Sequence, residues 1–418
     1  MEKWIVVTLF LCLFGTLREI RPSEPFVSEF LLGPWRNITD EQLNRDVYPV
    51  GTYSYLAQLV VIFLITDFLR FKPVIILSGL SGTAVYAILL WTESLEWLQV
   101  SQFLYGTYMA TEVAYYTYIY AKVDPAKYPR VSSYTRIAAL FGRFLSGVTS
   151  QLLTHFGVMD YRQLNYITFT GYLRWCIPVY QIPIHSCPKE TQVVQHDPKP
   201  FPQRSTCSEA TQAFALITRH AQAAYSRPKV LVWSALYAAA LALFVQAQIY
   251  VQLLWRQIQE DTDVAYNGAV EAVQTLLGAL GAFLASIFSY SCLPAPVAAV
   301  QGVAMFLGTF IPNVFVSYAG YIVMGMLFHY TITLASAKIA GQISDESCFG
   351  LIFGINTLIG TGLQSILTAV LIQALELPIA SQYYSLSGLF MLVASAWIVG
   401  WIVNACRQKR EVNINNQY

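Results

Sequence analysis

The chain has 418 residues, of which 56% are apolar or aromatic and only 12% charged, with Lys plus Arg at 25 against 24 for Asp plus Glu. A charged fraction about half that of a soluble domain excludes an ordinary water-soluble protein, a disordered chain, a collagen and a disulfide scaffold, and the near-zero balance gives no global pull toward nucleic acid. At about 20 apolar residues per span, the apolar content has room for about ten to twelve crossings of a lipid bilayer.

The first apolar stretch, near 4 to 17, follows Lys3 and runs into Arg18-Glu19-Ile20-Arg21-Pro22. No small-x-small cleavage site follows it, so it reads as a retained span and not a removed signal peptide. Further stretches near 50 to 66, 73 to 91, 101 to 121, 134 to 153 and 163 to 180 complete a first set of six. The sixth is the weakest, because Arg162, Asn165, Arg174 and Pro178 interrupt it. A polar interval with Pro183, Pro188, Pro198, Pro200 and Pro202 then reads as a linker. Six more stretches follow, near 229 to 254, 266 to 290, 292 to 311, 314 to 340, 348 to 374 and 381 to 404. The expected fold is an all-α membrane protein with twelve transmembrane helices. It divides into an N-terminal six-helix half (1–182), a cytosolic linker (183–228), a C-terminal six-helix half (229–404) and a cytosolic tail (405–418). Two six-span halves joined in this way resemble the major facilitator carriers.

Basic loops resist translocation, which orients the spans. Arg70 and Lys72, then Lys122, Lys127 and Arg130, then the basic residues of the linker, then Arg407, Lys409 and Arg410 all fall on one side of a twelve-span topology. The opposite loops carry Glu93, Glu96, Glu260, Asp261, Asp263 and Glu376. Both termini are therefore expected in the cytosol. The one N-glycosylation sequon, Asn37-Ile38-Thr39, lies after the first span, in a loop expected outside.

Ionisable residues inside spans cost about 2.5 to 3.5 kcal/mol each at the centre, so they mark cavities and function. Here they are Glu112, Arg136, Arg143, Arg174, Glu271, His329 and Lys338. Glu112 has Tyr115 and Tyr116 three and four residues on, sharing a helical face; a carboxylate beside phenol rings suits an organic cation. The structural alternative is that Glu112 pairs with Arg136 to hold two helices together. Glu271 reads either as a ligand or gate contact or as a solvated helix-end residue, and Arg143 and Lys338 as residues that reach the cytosolic surface. Asp67 and Arg70, joining spans two and three, resemble the cytosolic gating motif of major facilitator proteins. The seven cysteines have no C-x-x-C spacing and the five histidines are scattered, so neither a metal nor a cofactor is expected. Nor does the chain offer a nucleophile–base pair or a phosphate-cradling Gly-rich loop, so no enzyme chemistry is expected.

Particular words carry a family resemblance: Arg21-Pro22-Ser23-Glu24-Pro25-Phe26, the run Asp46 to Leu56, Lys72-Pro73-Val74-Ile75-Ile76-Leu77, the Glu112 segment, Tyr134-Thr135-Arg136, Tyr250-Val251-Gln252, the run Tyr266 to Ala272, and Phe353-Gly354-Ile355-Asn356-Thr357. These collinear stretches resemble the folate and thiamine carrier family over nearly the whole chain. The resemblance implies a carrier for a water-soluble vitamin. Glu24, Glu112 and Glu271 match the thiamine pattern, and Tyr48 replaces another aromatic in it. The basic residues that the folate pattern places in spans ten and eleven correspond here to Gly325 and Gln364. Two thiamine-pattern residues also differ, a tryptophan that is Gly51 here and an asparagine that is Ile249.

The resulting expectation is a plasma-membrane transporter for thiamine or a thiamine-like cation. Its substrate site is expected to comprise Glu24, Tyr48, Glu112, Tyr115, Arg136 and Glu271; its gate Asp67 and Arg70; and its glycosylation site Asn37. A coupling proton or an exchanged anion is expected beside the substrate. The alternatives are folate transport by the same fold, in which Arg136 meets an anion, and a membrane receptor or enzyme that binds without transport.

Overall fold

Long apolar runs free of interior breakers close their backbone hydrogen bonds within the helix, the arrangement that hydrocarbon demands. The computed structural model describes residues 3–69, 71–112, 128–181, 218–219, 221–259, 265–343 and 349–415. Within them twelve long helices follow in chain order. These are α1 (Lys3–Glu19), α2 (Tyr48–Leu69), α3 (Phe71–Trp91), α4 (Leu95–Ala110), α5 (Tyr128–His155), α6 (Tyr161–Gln181), α7 (Pro228–Ile258), α8 (Asn267–Ile287), α9 (Pro294–Phe310), α10 (Val314–Ala340), α11 (Phe349–Thr368) and α12 (Ile379–Asn415). Starts follow local chemistry: Ser94 accepts from the Trp97 amide at α4, Asn313 from the Phe315 amide at α10, and Pro228 and Pro294 take first-turn positions that lack a partner anyway. Short helical turns at Glu24–Phe26, Val27–Leu31 and Asp40–Gln42 fill the loop between α1 and α2. Helix α12 continues to Asn415, past the end expected for its apolar part.

Five of these helices are long and apolar enough to cross a membrane by length and composition: α7, α8, α10, and the stretches Leu351–Ala374 and Ile379–Val403. Their outer faces carry exposed Leu276, Phe283, Phe315 and Leu392, a pattern stable only against lipid. The sixth span forms although its sequence is interrupted. Arg162 at the start of α6 donates to the Leu90 carbonyl at the end of α3, and the Asn165 amide donates back to Tyr161. Two of its interrupting polar residues are thus partnered.

Helix pairing repeats at an offset of six. In the first set α1 packs on α5, α2 on α4, and α3 on α4 and α6; in the second α7 packs on α11, α8 on α10, and α9 on α10 and α12. The two sets meet through α2 against α11 and α5 against α8, pairs that exchange under the same offset. Such pairing is what two sets of six helices related by a structural repeat give. The α5–α8 seam is a close backbone approach. A Cβ on Gly147 would sit 2.6 Å from the Gly268 carbonyl, and one on Gly268 would sit 2.8 Å from the Gly147 carbonyl. Small residues permit such contacts where lipid supplies no hydrophobic drive.

At the end of the bundle that holds Asn37, polar bridges join the two sets. Arg256 of α7 reaches Glu29 at 3.0 Å and Asp40 at 3.7 Å; Arg45 reaches Glu376 at 3.0 Å and also grips its carbonyl. Glu376 has φ of 49°, a left-handed residue that turns the chain out of the π-helical last turn of α11. Tyr53 donates to Gln373 at 2.7 Å nearby. Asn37 itself is exposed at this end.

Candidate functional site

Three of the ionisable groups singled out in the spans, Glu112, Arg143 and Glu271, gather where α1, α4, α5, α8 and α10 approach one another. Glu112 follows the described end of α4 and faces Arg18 of α1, Oε2 to Nη1 at 3.4 Å. Arg18 is the partner, not Arg136. The α1–α5 packing brings the end of α1 against the bundle interior, while Arg136 lies exposed on α5. Arg18 also donates to the Tyr108 carbonyl at 3.3 Å and lies 4.5 Å above the Tyr108 ring. A buried guanidinium is thus held by a charge, a carbonyl and a ring face.

One residue further, Glu19 accepts from Arg21 at 2.8 Å and from Arg143 Nε at 2.6 Å. Arg143 was expected to reach toward the cytosolic surface; it turns inward instead, because a buried carboxylate without cations is far more costly than a paired one. Arg21 also pairs with Glu24, and the Tyr105 hydroxyl donates to the same Glu24 oxygen at 3.1 Å. The Glu24 carbonyl in turn receives the Gln252 amide of α7 at 2.9 Å, tying the first-half loop to the second half. Glu271, in the first turns of α8, accepts from Tyr321 of α10 at 2.9 Å and lies in the electrostatic field of Arg143 and Glu24. A small apolar cavity within the second half is lined by Val251, Met305, Tyr321 and Tyr383, and so shares Tyr321 with Glu271.

The structure therefore brings together three of the expected substrate residues, Glu24, Glu112 and Glu271, around Arg18, Arg21 and Arg143. Arg18, Glu19 and Arg21 were not singled out from the sequence. They sit at the end of an apolar run that reads as a membrane boundary, and only the docking of α1 against α4 and α5 places them inside. Tyr48 is buried, its hydroxyl 2.8 Å from that of Ser28 and its ring edge-on to Tyr250, so it packs the seam under Glu24. Arg136 stands within electrostatic reach of His329 of α10. Tyr55 of α2 stands in the electrostatic field of Glu112 and Arg18 and beside Thr361 of α11. Tyr115 and Arg70 lie outside the described residues, as does most of the linker; of Asp67 only the backbone, near the end of α2, is described.

The positions that differ from the vitamin-carrier patterns are filled by neighbours. Gly325 has the Gln274 amide where its own side chain would be, 2.1 Å from an ideal Cβ. Gln364 is buried and donates to Thr52 at 3.3 Å, so span eleven presents a satisfied amide there. Gly51 likewise has the Gln102 side-chain oxygen 2.6 Å from an ideal Cβ. Ile249 packs against the main hydrophobic core.

A family model described as the reduced folate carrier matches residues 2–385. The chain is 33% identical to a protein named folate transporter 1 of Caenorhabditis elegans, over 96% of this chain and 93% of that one. It is 31% identical to thiamine transporter 1 of Homo sapiens, over 98% and 92% of the two chains, and 31% identical to the reduced folate transporter of Homo sapiens, over 97% and 74%. Among solved structures, a POT family transporter in complex with a thioalcohol-conjugated peptide matches at a TM-score of 0.67 and 10% identity, over 94% of this chain and 95% of that one. A bacterial homologue of the human lysosomal transporter Spinster, inward-facing and unoccupied, matches at a TM-score of 0.61 and 15% identity, over 95% and 96%. At those identities the structural likeness establishes the fold alone.

Proposed function

The chain belongs to the reduced folate carrier family, and on that footing we propose that it carries thiamine, or a thiamine-like organic cation, by alternating access. The observation that carries this reading is the gathering of Glu24, Glu112 and Glu271 in one region, together with uncharged residues, Gly325 and Gln364, at both positions where the folate pattern places cations. A partly exposed carboxylate, with the Tyr55 phenol in its electrostatic field, offers a cationic heterocycle charge pairing in an aromatic neighbourhood. Glu112 would engage the cationic ring, with Tyr115 joining Tyr55; Glu24 and Glu271 would shape the site toward the Asn37 end, with Tyr48 packing beneath them. Asp67 and Arg70 would belong to the gate at the opposite end. The address is the plasma membrane, with both termini in the cytosol and a proton or an exchanged anion coupled to the movement.

Folate is the second reading, and Arg136 favours it: an exposed guanidinium within electrostatic reach of His329 is a ready partner for a carboxylate. The test is uptake of labelled thiamine and labelled folate into cells expressing the protein, each competed with the other. Saturable thiamine uptake that folate competes poorly is the expected result. Folate uptake without thiamine uptake sinks the cation reading, and binding without accumulation sinks transport.

A further inference from the structure

The two buried acid clusters of α1 and α4 are built differently. Glu19 is 4% exposed and clamped by two arginines at 2.6 and 2.8 Å. Glu112 is 24% exposed and held by one arginine through one contact at 3.4 Å, while that arginine is 3% exposed. The first is a closed structural knot. The second is a carboxylate open on one side and loosely paired on the other, with the guanidinium behind it shielded from any ligand.

Resting on the reading of Glu112 as the cation site, we infer that Arg18 is the internal counter-ion of the empty carrier. It takes the place of the substrate's positive charge so that the unloaded protein can reorient and take up a second cargo. In alternating access the site passes through a state closed at both ends, and a desolvated carboxylate without a cation opposes that passage. Loaded, the substrate supplies the charge; empty, Arg18 does. Without any ligand, Arg18, Arg21 and Arg143 already pair Glu112, Glu24 and Glu19, while Glu271 accepts from the Tyr321 hydroxyl. When substrate takes Glu112, Arg18 keeps the Tyr108 carbonyl, the Tyr108 ring and the field of Glu19. Among the described residues no other carboxylate lies within ion-pair distance of Arg18, so this pair is the one that substrate arrival would open.

Net uptake needs the empty return step, whereas exchange of inside for outside substrate does not. The experiment is therefore labelled thiamine transport by purified protein in liposomes, measured as uptake into empty vesicles and as exchange into vesicles preloaded with unlabelled thiamine. Arg18→Gln should lower net uptake about tenfold or more relative to exchange, and Arg18→Lys, which keeps the charge, should restore the ratio. Equal loss of both modes, or no change in their ratio, overturns the inference while leaving the substrate reading intact. Wild-type vesicles that carry no thiamine in either mode overturn the substrate reading and this inference with it. Should Arg18→Gln fail to fold, the double variant with Glu112→Gln leaves no unpaired charge and must fold; a double variant that also fails makes Arg18 a packing residue and overturns the inference.

Discussion

Residues 18 to 24 hold four charges within seven positions, and their partners come from α4 and α5 as well as from one another. The contrast between Glu19 and Glu112 gives a pair of expected outcomes. Glu112→Gln leaves Arg18 on its carbonyl and ring, so stability should fall by only about 1 to 2 kcal/mol, with surface expression intact and uptake reduced at least about tenfold. Glu19→Gln strips two arginines of their shared anion, and a loss of about 3 to 5 kcal/mol is expected, read as a lower melting temperature in detergent or as absence from the membrane. The two results together decide the roles: if Glu112→Gln is the variant that fails to accumulate, Glu112 is the structural residue. Outside the spans, Arg36 illustrates the same physics. Burial pushes its guanidinium down to about 10, against the ordinary value, while it donates to the Leu89 carbonyl near the end of α3.

At the scale of elements, the seams between halves are set by what is small. Gly147 and Gly268 let α5 and α8 touch backbone to backbone, and the bridges of Arg45, Arg256 and Tyr53 close the same end of the bundle. Gly147→Leu inserts a side chain where no space exists for one. It should force that seam apart, cut uptake about tenfold or more and raise the labelling of a cysteine placed at Gln373. Unchanged uptake with unchanged labelling would show that the seam yields elsewhere. Element existence and type were legible from sequence, because apolar runs longer than about 17 residues leave few alternatives to a helix. The weakest span formed as well, with Arg162 and Asn165 finding carbonyl partners that periodicity does not display.

For the whole molecule, the repeat of helix pairs at an offset of six and the family match agree on a membrane transporter built of two related sets of helices. Its orientation is open to a direct check. A tag inserted after Asn37 should bind antibody on intact cells, and a tag after Asn415 only after permeabilisation. The reverse pattern would invert the bundle and reassign the closed end described above to the cytosolic face.

By itself the sequence determined the solvent this chain lives in, the all-helical kind of its elements and its family. These follow from local properties: composition, run length, and words read along the chain. Only the tertiary structure decided which charges meet. Arg18 rather than Arg136 faces Glu112, Arg143 turns inward to Glu19, and the Gln274 amide fills the space beside Gly325. The reason is that a charge buried in a low-dielectric interior takes whichever opposite charge the packing brings within a few ångströms, and that distance is set by helices far apart in sequence.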